Sequence, residues 1–196
     1  MDQLIFATNN QHKVSEVKAI LEGKYDVISL SDAGIDIDIP EPYETLEENA
    51  IEKAKVIHKM TGKNCFGEDT GLEVMALNGE PGVKSARYAG EEKSFSNNTI
   101  KLLSKLDGVE NRKAQFRAVI ALVFNGKLYT FEGVCKGLII ASERGTKGFG
   151  YDPVFVPDGS DKTFGEMEME EKNLYNHRQI AVNKMIDFLK STITTN

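Results

Sequence analysis

Residues 4–21, which read LIFATNNQHKVSEVKAIL, combine a short apolar strand, a polar turn and an amphipathic helix. Leu4–Ala7 are consecutive apolar residues and predict a buried strand. Val14, Val17 and Leu21 then recur at the spacing of one helix face. A strand followed directly by a helix is an α/β arrangement, so this stretch predicts the fold class.

The turn between this strand and this helix is polar throughout. A strand-to-helix turn presents free backbone N–H groups and the positive end of the helix dipole, so a hydroxyl, amides and a lysine there favour phosphate. The GxxxxGK[ST] spacing of a P-loop is absent, and an ordinary capped helix start explains Thr8 and Asn10 equally well. The predicted phosphate-binding residues are Thr8, Asn9, Asn10, Gln11, His12 and Lys13.

Later segments continue the mixture of strands and helices. Residues 116–124 and 128–134 are β-rich runs joined at Asn125-Gly126, a strong signal for a type I′ hairpin. Apolar residues at helical spacing predict one helix near 95–107 and another near the C-terminus. The sequence therefore predicts a mixed α/β fold in which helices cover the faces of a sheet.

An acidic cluster, Gly67-Glu68-Asp69-Thr70-Gly71, lies between two apolar runs and predicts two carboxylates at a break in a strand. Since successive strand residues point to opposite faces, one of Glu68 and Asp69 is expected to face a given site. Magnesium is usually held by one or two protein carboxylates, waters and phosphate oxygens, which suits Asp69 with one distant partner. An ordinary acidic turn is an equally good interpretation of this segment alone.

A predicted helix from residue 45 to about 60 places one lysine on its apolar side. Thr45 and Glu48 form a capping-box pattern at its start. Lys53 falls inside the apolar arc, where a lysine either extends to the solvent edge or meets an anion. The phosphate site predicted nearby favours a functional Lys53.

A second metal ligand beside Asp69 is expected among the other acidic residues. Glu48 projects away from the apolar arc of its helix and is a poor candidate. Glu41 lies between Pro40 and Pro42 after the alternating run 35–39, which predicts a strand. Glu41 is therefore the predicted second metal ligand.

A glycine loop near the end of the chain, Gly148-Phe149-Gly150-Tyr151-Asp152-Pro153, predicts a nucleobase pocket. The glycines permit close backbone approach, and Phe149 or Tyr151 offers a flat face for stacking. Lys172 and the pair His177-Arg178 follow as hydrogen-bond donors. For the loop alone, a plain turn into the next strand is the better explanation of the glycines.

Six motifs in order make the chain resemble one family closely. They are TNNQHK at 8, ENAIEKA at 48, GEDTGL at 67, PGVKSARYAG at 81, GTKGFGYDPVF at 145 and EEKNLYNHR at 170. The chain resembles the inosine/xanthosine triphosphate pyrophosphatase family of nucleotide-pool-cleaning enzymes, from about residue 5 to 190. The resemblance implies magnesium-dependent hydrolysis of deaminated purine nucleoside triphosphates (ITP, dITP, XTP) to the monophosphate and pyrophosphate. It also implies a homodimer and an elongated mixed sheet in two lobes, with the active cleft between them.

The resemblance also implies roles for individual residues. Asp69 is implied as the catalytic carboxylate and, with Glu41, as a magnesium ligand. Triphosphate and sugar contacts are implied for the 8–13 turn, Lys53 and Thr70. Base recognition is implied for Phe149, Gly150, Tyr151, Asp152, Lys172, His177 and Arg178. Two departures are Asn176, where the family often has serine, and Glu68, where many members have a second aspartate.

Composition excludes several classes of protein. The 196 residues, 40% of them hydrophobic, suffice for one domain with a real core, predicted over 1–196. The net charge of −6, with lysines and acids interspersed, argues against a nucleic-acid partner. Cys65 and Cys135 lack CxxC spacing and are expected to pack in the core in a reducing cytoplasm. The longest apolar run, 118–124, is far shorter than the ~20 residues of a membrane helix, so a cytoplasmic protein is expected.

Two rival functions remain open at this stage. One is a pyrophosphatase for modified pyrimidine triphosphates, because another family shares the general architecture. The other is a catalytically silent nucleotide sensor, against which the intact Asp69 and Glu41 argue. Preference for ITP over pyrimidine triphosphates would argue against the first rival. Tight binding of ITP without turnover would support the second.

Overall fold

Residues 3–23 and 25–193 are described by the computed structural model, and they contain six strands and five α-helices. The strands are β1 (Gln3–Phe6), β2 (Asp26–Ser29), β3 (Cys65–Val74), β4 (Lys113–Phe124), β5 (Lys127–Ile139) and β6 (Phe155–Pro157). The helices are α1 (Gln11–Leu21), α2 (Leu46–Thr61), α3 (Phe95–Lys105), α4 (Met169–Lys172) and α5 (His177–Ile193).

The strands of the described residues form one mixed sheet in the order β2-β1-β3-β4-β5-β6. β1 is parallel to both β2 and β3, with Ile5 opposite Cys65 in the second pair. β6 is antiparallel to β5, with Val156 opposite Leu138. The predicted α/β class with a mixed sheet and flanking helices is confirmed.

Contacts between residues divide the chain into two compact units. The first comprises the described parts of Met1–Asp69, Ala118–Gly133 and Arg178–Asn196, and the second comprises Thr70–Arg117 and Val134–His177. The single domain over 1–196 stays a prediction.

Each unit has a hydrophobic core of its own. In the first unit, α1 and α5 contribute apolar residues that cluster with those of β1, β3 and β4, and the rings of Phe6 and Phe66 stack at 4.5 Å. In the second unit, Phe116, Phe155 and Phe164 form an aromatic cluster, with ring centroids of Phe116 and Phe155 4.7 Å apart. Burial of these apolar faces is what drives the helices onto the strands.

Local signals in the sequence form the elements that they predict. The side-chain oxygen of Thr45 accepts a hydrogen bond from the Glu48 N–H at 3.2 Å and so caps α2. Asn125 and Gly126 have φ angles of 50° and 73°, as a type I′ turn requires, and they join β4 to β5. The predicted helices near 95–107 and at the C-terminus are α3 and α5.

Two local predictions are wrong. The alternating run 35–39 forms no strand, because alternation supplies a pattern but no neighbouring strand pairs with it in the described residues. The carbonyl of Ile37 instead accepts a hydrogen bond from the side chain of Asn9 at 2.7 Å. The acidic cluster 67–71 is not a strand break either, since it lies inside the continuous strand β3.

Both cysteines are buried and free, as predicted for core packing. Burial raises the pKa of the Cys65 and Cys135 thiols to about 12. Neither thiol is therefore poised as a nucleophile. In the described part of the chain, no helix combines the length and the apolar character needed to span a membrane.

Candidate active site

The carboxylate of Asp69 lies on β3 and is 6% exposed. Two side chains of α2, one turn apart, donate to it. Lys53 Nζ lies 3.3 Å from Oδ1, and Asn49 Nδ2 lies 3.4 Å from Oδ2. The same ammonium donates to the backbone carbonyl of Glu68 at 3.1 Å. A strand carboxylate is thus held by one helix face, because residues four apart share a face.

Gly67 explains why α2 can approach β3 so closely. A Cβ at this position would lie 2.8 Å from the Cβ of Lys53 and 2.9 Å from the backbone nitrogen of Ala54. Any side chain would therefore force the helix away from the strand. The absence of a side chain at Gly67 brings Lys53 to Asp69.

Lys53 is only 6% exposed and also forms an ion pair with Glu41. Of the two interpretations of a lysine in the apolar arc, the structure shows the one in which it meets anions. Burial alone lowers the pKa of Lys53, but the charges of Asp69 and Glu41 outweigh it and raise the pKa overall. The ammonium therefore stays charged.

Glu41 and Asp69, the two predicted metal ligands, contact the same ammonium. Among the described residues there is no group of three or more metal-ligating side chains. Magnesium needs only one or two protein carboxylates when water and phosphate oxygens complete its shell. The donor set therefore fits a magnesium ion that arrives with a phosphorylated ligand.

Glu68 faces other partners than Asp69 does. Arg178 donates from Nε to Oε2 and from Nη2 to Oε1 of Glu68, both at 3.1 Å. Lys13 Nζ lies 3.7 Å from Oε2. Burial raises the pKa of Glu68, but the charges of Arg178 and Lys13 outweigh it and lower the pKa overall. The side chains of the two adjacent carboxylates thus have different hydrogen-bond partners, as strand alternation predicted.

Glu16 completes this group and was missed from the sequence. It is 2% exposed and accepts a hydrogen bond from Nη1 of Arg178. Its position four residues before the buried Ile20, on the inner side of α1, is the signal that could have found it. Asn49, one helix turn before Lys53 in the buried face of α2, is a second site residue that its sequence context alone does not single out.

The turn before α1 is organised as a helix cap. The side chain of Asn10 accepts from the N–H groups of His12 and Lys13 at 3.0 and 3.3 Å. Thr8 accepts from the Asn10 N–H at 3.1 Å, and Gln11 is exposed. The capping interpretation is therefore confirmed, and phosphate binding by this turn stays a prediction.

The glycine loop of the second unit is built around Asp152. This carboxylate is 3% exposed, and its Oδ2 accepts from the Phe149 N–H at 3.0 Å and from Lys172 Nζ at 2.7 Å. Lys172 is also buried, and its Nζ lies 5.5 Å from the centre of the Phe149 ring. Gly150 has a φ angle of 63°, which favours glycine. Three predicted base-contacting residues, Phe149, Asp152 and Lys172, therefore lie together.

The two aromatic residues of this loop are placed differently. Phe149 is half-buried, and its ring centroid lies 5.9 Å from that of Phe95. Tyr151 is 4% exposed, and its hydroxyl donates to the carbonyl of Ser85 at 2.8 Å. Of the two candidates for base stacking, Phe149 is the more accessible.

The remaining predicted base residues fall in both units. The ring of His177, in the second unit, stacks on Phe116 at 4.8 Å. Arg178 belongs to the first unit, and its guanidinium donates hydrogen bonds to Glu16 and Glu68. Thr70 follows Asp69 in β3 and is half-buried. Direct base contact by His177 and Arg178, and phosphate or sugar contact by Thr70, stay predictions.

Comparison with known proteins decides the family. The model of the Ham1 family matches residues 4–188. The chain belongs to the Ham1 family. Its relatives in this family include a dITP/XTP pyrophosphatase of Flavobacterium johnsoniae, 49% identical over 97% of this chain and 99% of the relative. A dITP/XTP pyrophosphatase of Porphyromonas gingivalis is 50% identical over 96% of this chain and 98% of the relative's length.

The fold agrees with solved Ham1 structures. The Ham1 protein of Staphylococcus aureus is 41% identical and superposes with a TM-score of 0.88, over 97% of this chain and 100% of its own. The Ham1 protein of Coxiella burnetii is 34% identical, with a TM-score of 0.87 over 97% and 100% of the two chains. The family predicted from the six motifs is confirmed by the Ham1 match and the named relatives.

Proposed function

We propose that this chain hydrolyses deaminated purine nucleoside triphosphates (ITP, dITP and XTP) to the monophosphate and pyrophosphate. Removal of these nucleotides would keep deaminated bases out of DNA and RNA. Membership of the Ham1 family supports the proposal, as do relatives named dITP/XTP pyrophosphatases at 49% and 50% identity.

The observation that carries the proposal is the buried ammonium of Lys53 in contact with Asp69 and Glu41. A polyphosphate and its counter-cation need positive charge for the phosphate oxygens and carboxylates for the cation. The first unit offers both, with Lys13 beside Glu68 as a second cation. Such a mixed group of charges suits a metal–triphosphate complex better than a neutral ligand.

Cleavage between the α- and β-phosphates requires a water molecule in line with the α-phosphorus. The oxygen of this water forms the new bond to phosphorus, and the bond from phosphorus to the bridging oxygen breaks, so that pyrophosphate leaves. We assign Asp69 to orienting the water and accepting its proton. Burial raises the pKa of Asp69, although the charges of Lys53 and Lys13 oppose this.

Charge on the leaving group is the second requirement. Lys53 and Lys13 neutralise the charge that develops on pyrophosphate. Asp69 and Glu41 would hold a magnesium ion, which supplies further neutralisation and polarises the phosphate oxygens. The phosphate-binding turn at 8–13 and Thr70 are proposed to hold the triphosphate and sugar.

Base recognition is assigned to the loop at 149–152 with Lys172, His177 and Arg178. Phe149 offers a ring for stacking, and Lys172, held by Asp152, offers a donor to the 6-oxo group of hypoxanthine or xanthine. Asp152 positions both, since one of its oxygens accepts from the Phe149 N–H and from Lys172. By resemblance we also propose a homodimer, and from charge, cysteine usage and the short apolar runs a cytoplasmic protein without a nucleic-acid or membrane partner.

The test is pyrophosphate release from ITP, dITP, XTP, GTP, ATP and pyrimidine triphosphates, each with and without magnesium. We expect release from the three deaminated purine nucleotides, dependent on magnesium and accompanied by the monophosphate. Preference for a pyrimidine triphosphate would overturn the substrate assignment. Tight ITP binding without turnover would overturn the enzymatic assignment and support a sensor.

A further inference from the structure

The segment 81–90, PGVKSARYAG, has no part in the proposed chemistry. It contains Ser85, which makes several hydrogen bonds to other residues. The hydroxyl of Ser85 accepts from the Leu72 N–H at 2.9 Å and donates to the Gly82 carbonyl at 2.6 Å. The carbonyl of Ser85 is the acceptor for the Tyr151 hydroxyl. Ser85 thus connects β3 to the glycine loop within the second unit.

A buried amide of α3 fixes the same segment from another side. Asn98 is 2% exposed, and its Nδ2 donates to the carbonyls of Ser85 at 3.3 Å and Ala86 at 2.9 Å. Its Oδ1 accepts from the Ala89 N–H at 2.7 Å. A buried carboxamide with all these bonds made holds a backbone segment in one conformation. The Ser85 carbonyl is therefore a fixed acceptor.

Tyr151 transmits this fixed position to the base-binding residues. It lies between Gly150 and Asp152, and Asp152 accepts from both the Phe149 N–H and Lys172. A displacement of Tyr151 would move its chain neighbour Asp152, and with it the Phe149 ring and the Lys172 ammonium. The residue that makes the hydrogen bond to Ser85 is thus the chain neighbour of Asp152, which holds the residues proposed to bind the base.

We propose that Ser85 and Asn98 are positioning residues of the base-binding loop and act through the hydroxyl of Tyr151. In this role Tyr151 is the anchor of the loop, and Phe149 is its stacking surface. The proposal rests on the proposed function, because it assumes that the loop binds a purine base. It assigns part of the base selectivity to one residue of the 81–90 segment and one of α3, neither of which is proposed to contact the substrate.

Tyr151→Phe is the sharpest test because it removes only the anchoring hydroxyl. We expect KM for ITP to rise ~3- to 10-fold, the worth of one net hydrogen bond, with kcat within about twofold. The ratio of kcat/KM for ITP over ATP should fall by a similar factor. Asn98→Ala should also raise KM for ITP and lower this ratio. Tyr129→Phe is the matched control and should leave both at the wild-type value, since the ring of Tyr129 packs on Phe188 in the first unit.

Binding of the two products separates this inference from the proposed function. The dissociation constant of IMP should rise in Tyr151→Phe, and that of pyrophosphate should stay at the wild-type value. Unchanged IMP affinity in a folded Tyr151→Phe variant would overturn the inference, as would equal weakening of IMP and pyrophosphate. Failure of the wild-type chain to prefer ITP over ATP would instead overturn the proposed function.

Discussion

Arg178 donates two hydrogen bonds of 3.1 Å to the two carboxylate oxygens of Glu68, and both side chains are buried. The residues are 110 positions apart in the sequence. Paired N–H groups on both oxygens of a carboxylate form the strongest common ion-pair geometry. Glu68 is therefore committed to holding Arg178, and Asp69 is the carboxylate left to the proposed chemistry.

Glu68→Gln should destabilise the protein markedly. Removal of one charge from a buried pair leaves the guanidinium only partly compensated, by Glu16, and such changes typically cost about 3 kcal/mol. Urea unfolding monitored by circular dichroism measures the loss. Glu73→Gln is the control, because Glu73 pairs with Arg117 at 3.4 Å in a partly exposed site and should cost less than about 1 kcal/mol. Equal losses in the two variants would contradict the structural role of Glu68.

Asp69→Asn should abolish hydrolysis and leave the fold intact. The amide keeps the shape of the carboxylate but can neither accept the proton of water nor bind magnesium well. We expect kcat to fall ~10²- to 10⁴-fold in the pyrophosphate-release assay. Asp107→Asn, an exposed change after α3, is the control. Near-normal turnover of Asp69→Asn with unchanged magnesium dependence would refute the assignment.

Lys53→Ala and Lys172→Ala should have different effects on substrate preference. A charge that binds phosphate carries no information about the base, so Lys53→Ala should lower kcat/KM about equally for every triphosphate. Lys172→Ala should reduce the preference among bases. The ratio of kcat/KM for ITP over ATP, measured in both variants, tests this. Equal loss of discrimination in both would show that the two lysines do not have separate tasks.

Selectivity against ATP should be strong in the wild-type chain. Hypoxanthine presents a 6-oxo acceptor where adenine presents a 6-amino donor, so a pocket of donors leaves groups unpaired against ATP. We expect kcat/KM for ITP to exceed that for ATP by more than ~10², with GTP between them. Hydrolysis of ATP within about threefold of ITP would mean that Lys172, His177 and Arg178 do not read the base edge together.

Gly67→Ala should damage both stability and activity. The added Cβ would lie 2.8 Å from the Cβ of Lys53 and 2.9 Å from the Ala54 nitrogen, and both belong to α2. The helix must shift, which separates Lys53 from Asp69. We expect a lower midpoint of thermal unfolding and at least ~10-fold lower kcat/KM, since small displacements in an active site are costly. Wild-type values of the unfolding midpoint and of kcat/KM would show that α2 accommodates the added methyl group without displacing Lys53.

The local elements of the fold could be predicted from sequence because their causes are local. The cap at Thr45 and the Asn125-Gly126 turn depend on residues a few positions apart, and both are found where they were predicted. The run 35–39 shows the limit of this reasoning. Alternation alone does not make a strand, since a strand also needs a partner, and its partner is set by the whole fold.

The candidate site divides along the same line. The sequence by itself determined that Lys53 lies within the apolar arc of α2, and that Glu68 and Asp69 face different ways, because helix and strand periodicity dictate both. Only the tertiary structure decided their partners. Glu16 and Arg178 are 162 residues apart, and no periodicity relates them. They meet because α1 and α5 bury their apolar faces in one core, and this packing pairs charges that a linear pattern leaves unassigned.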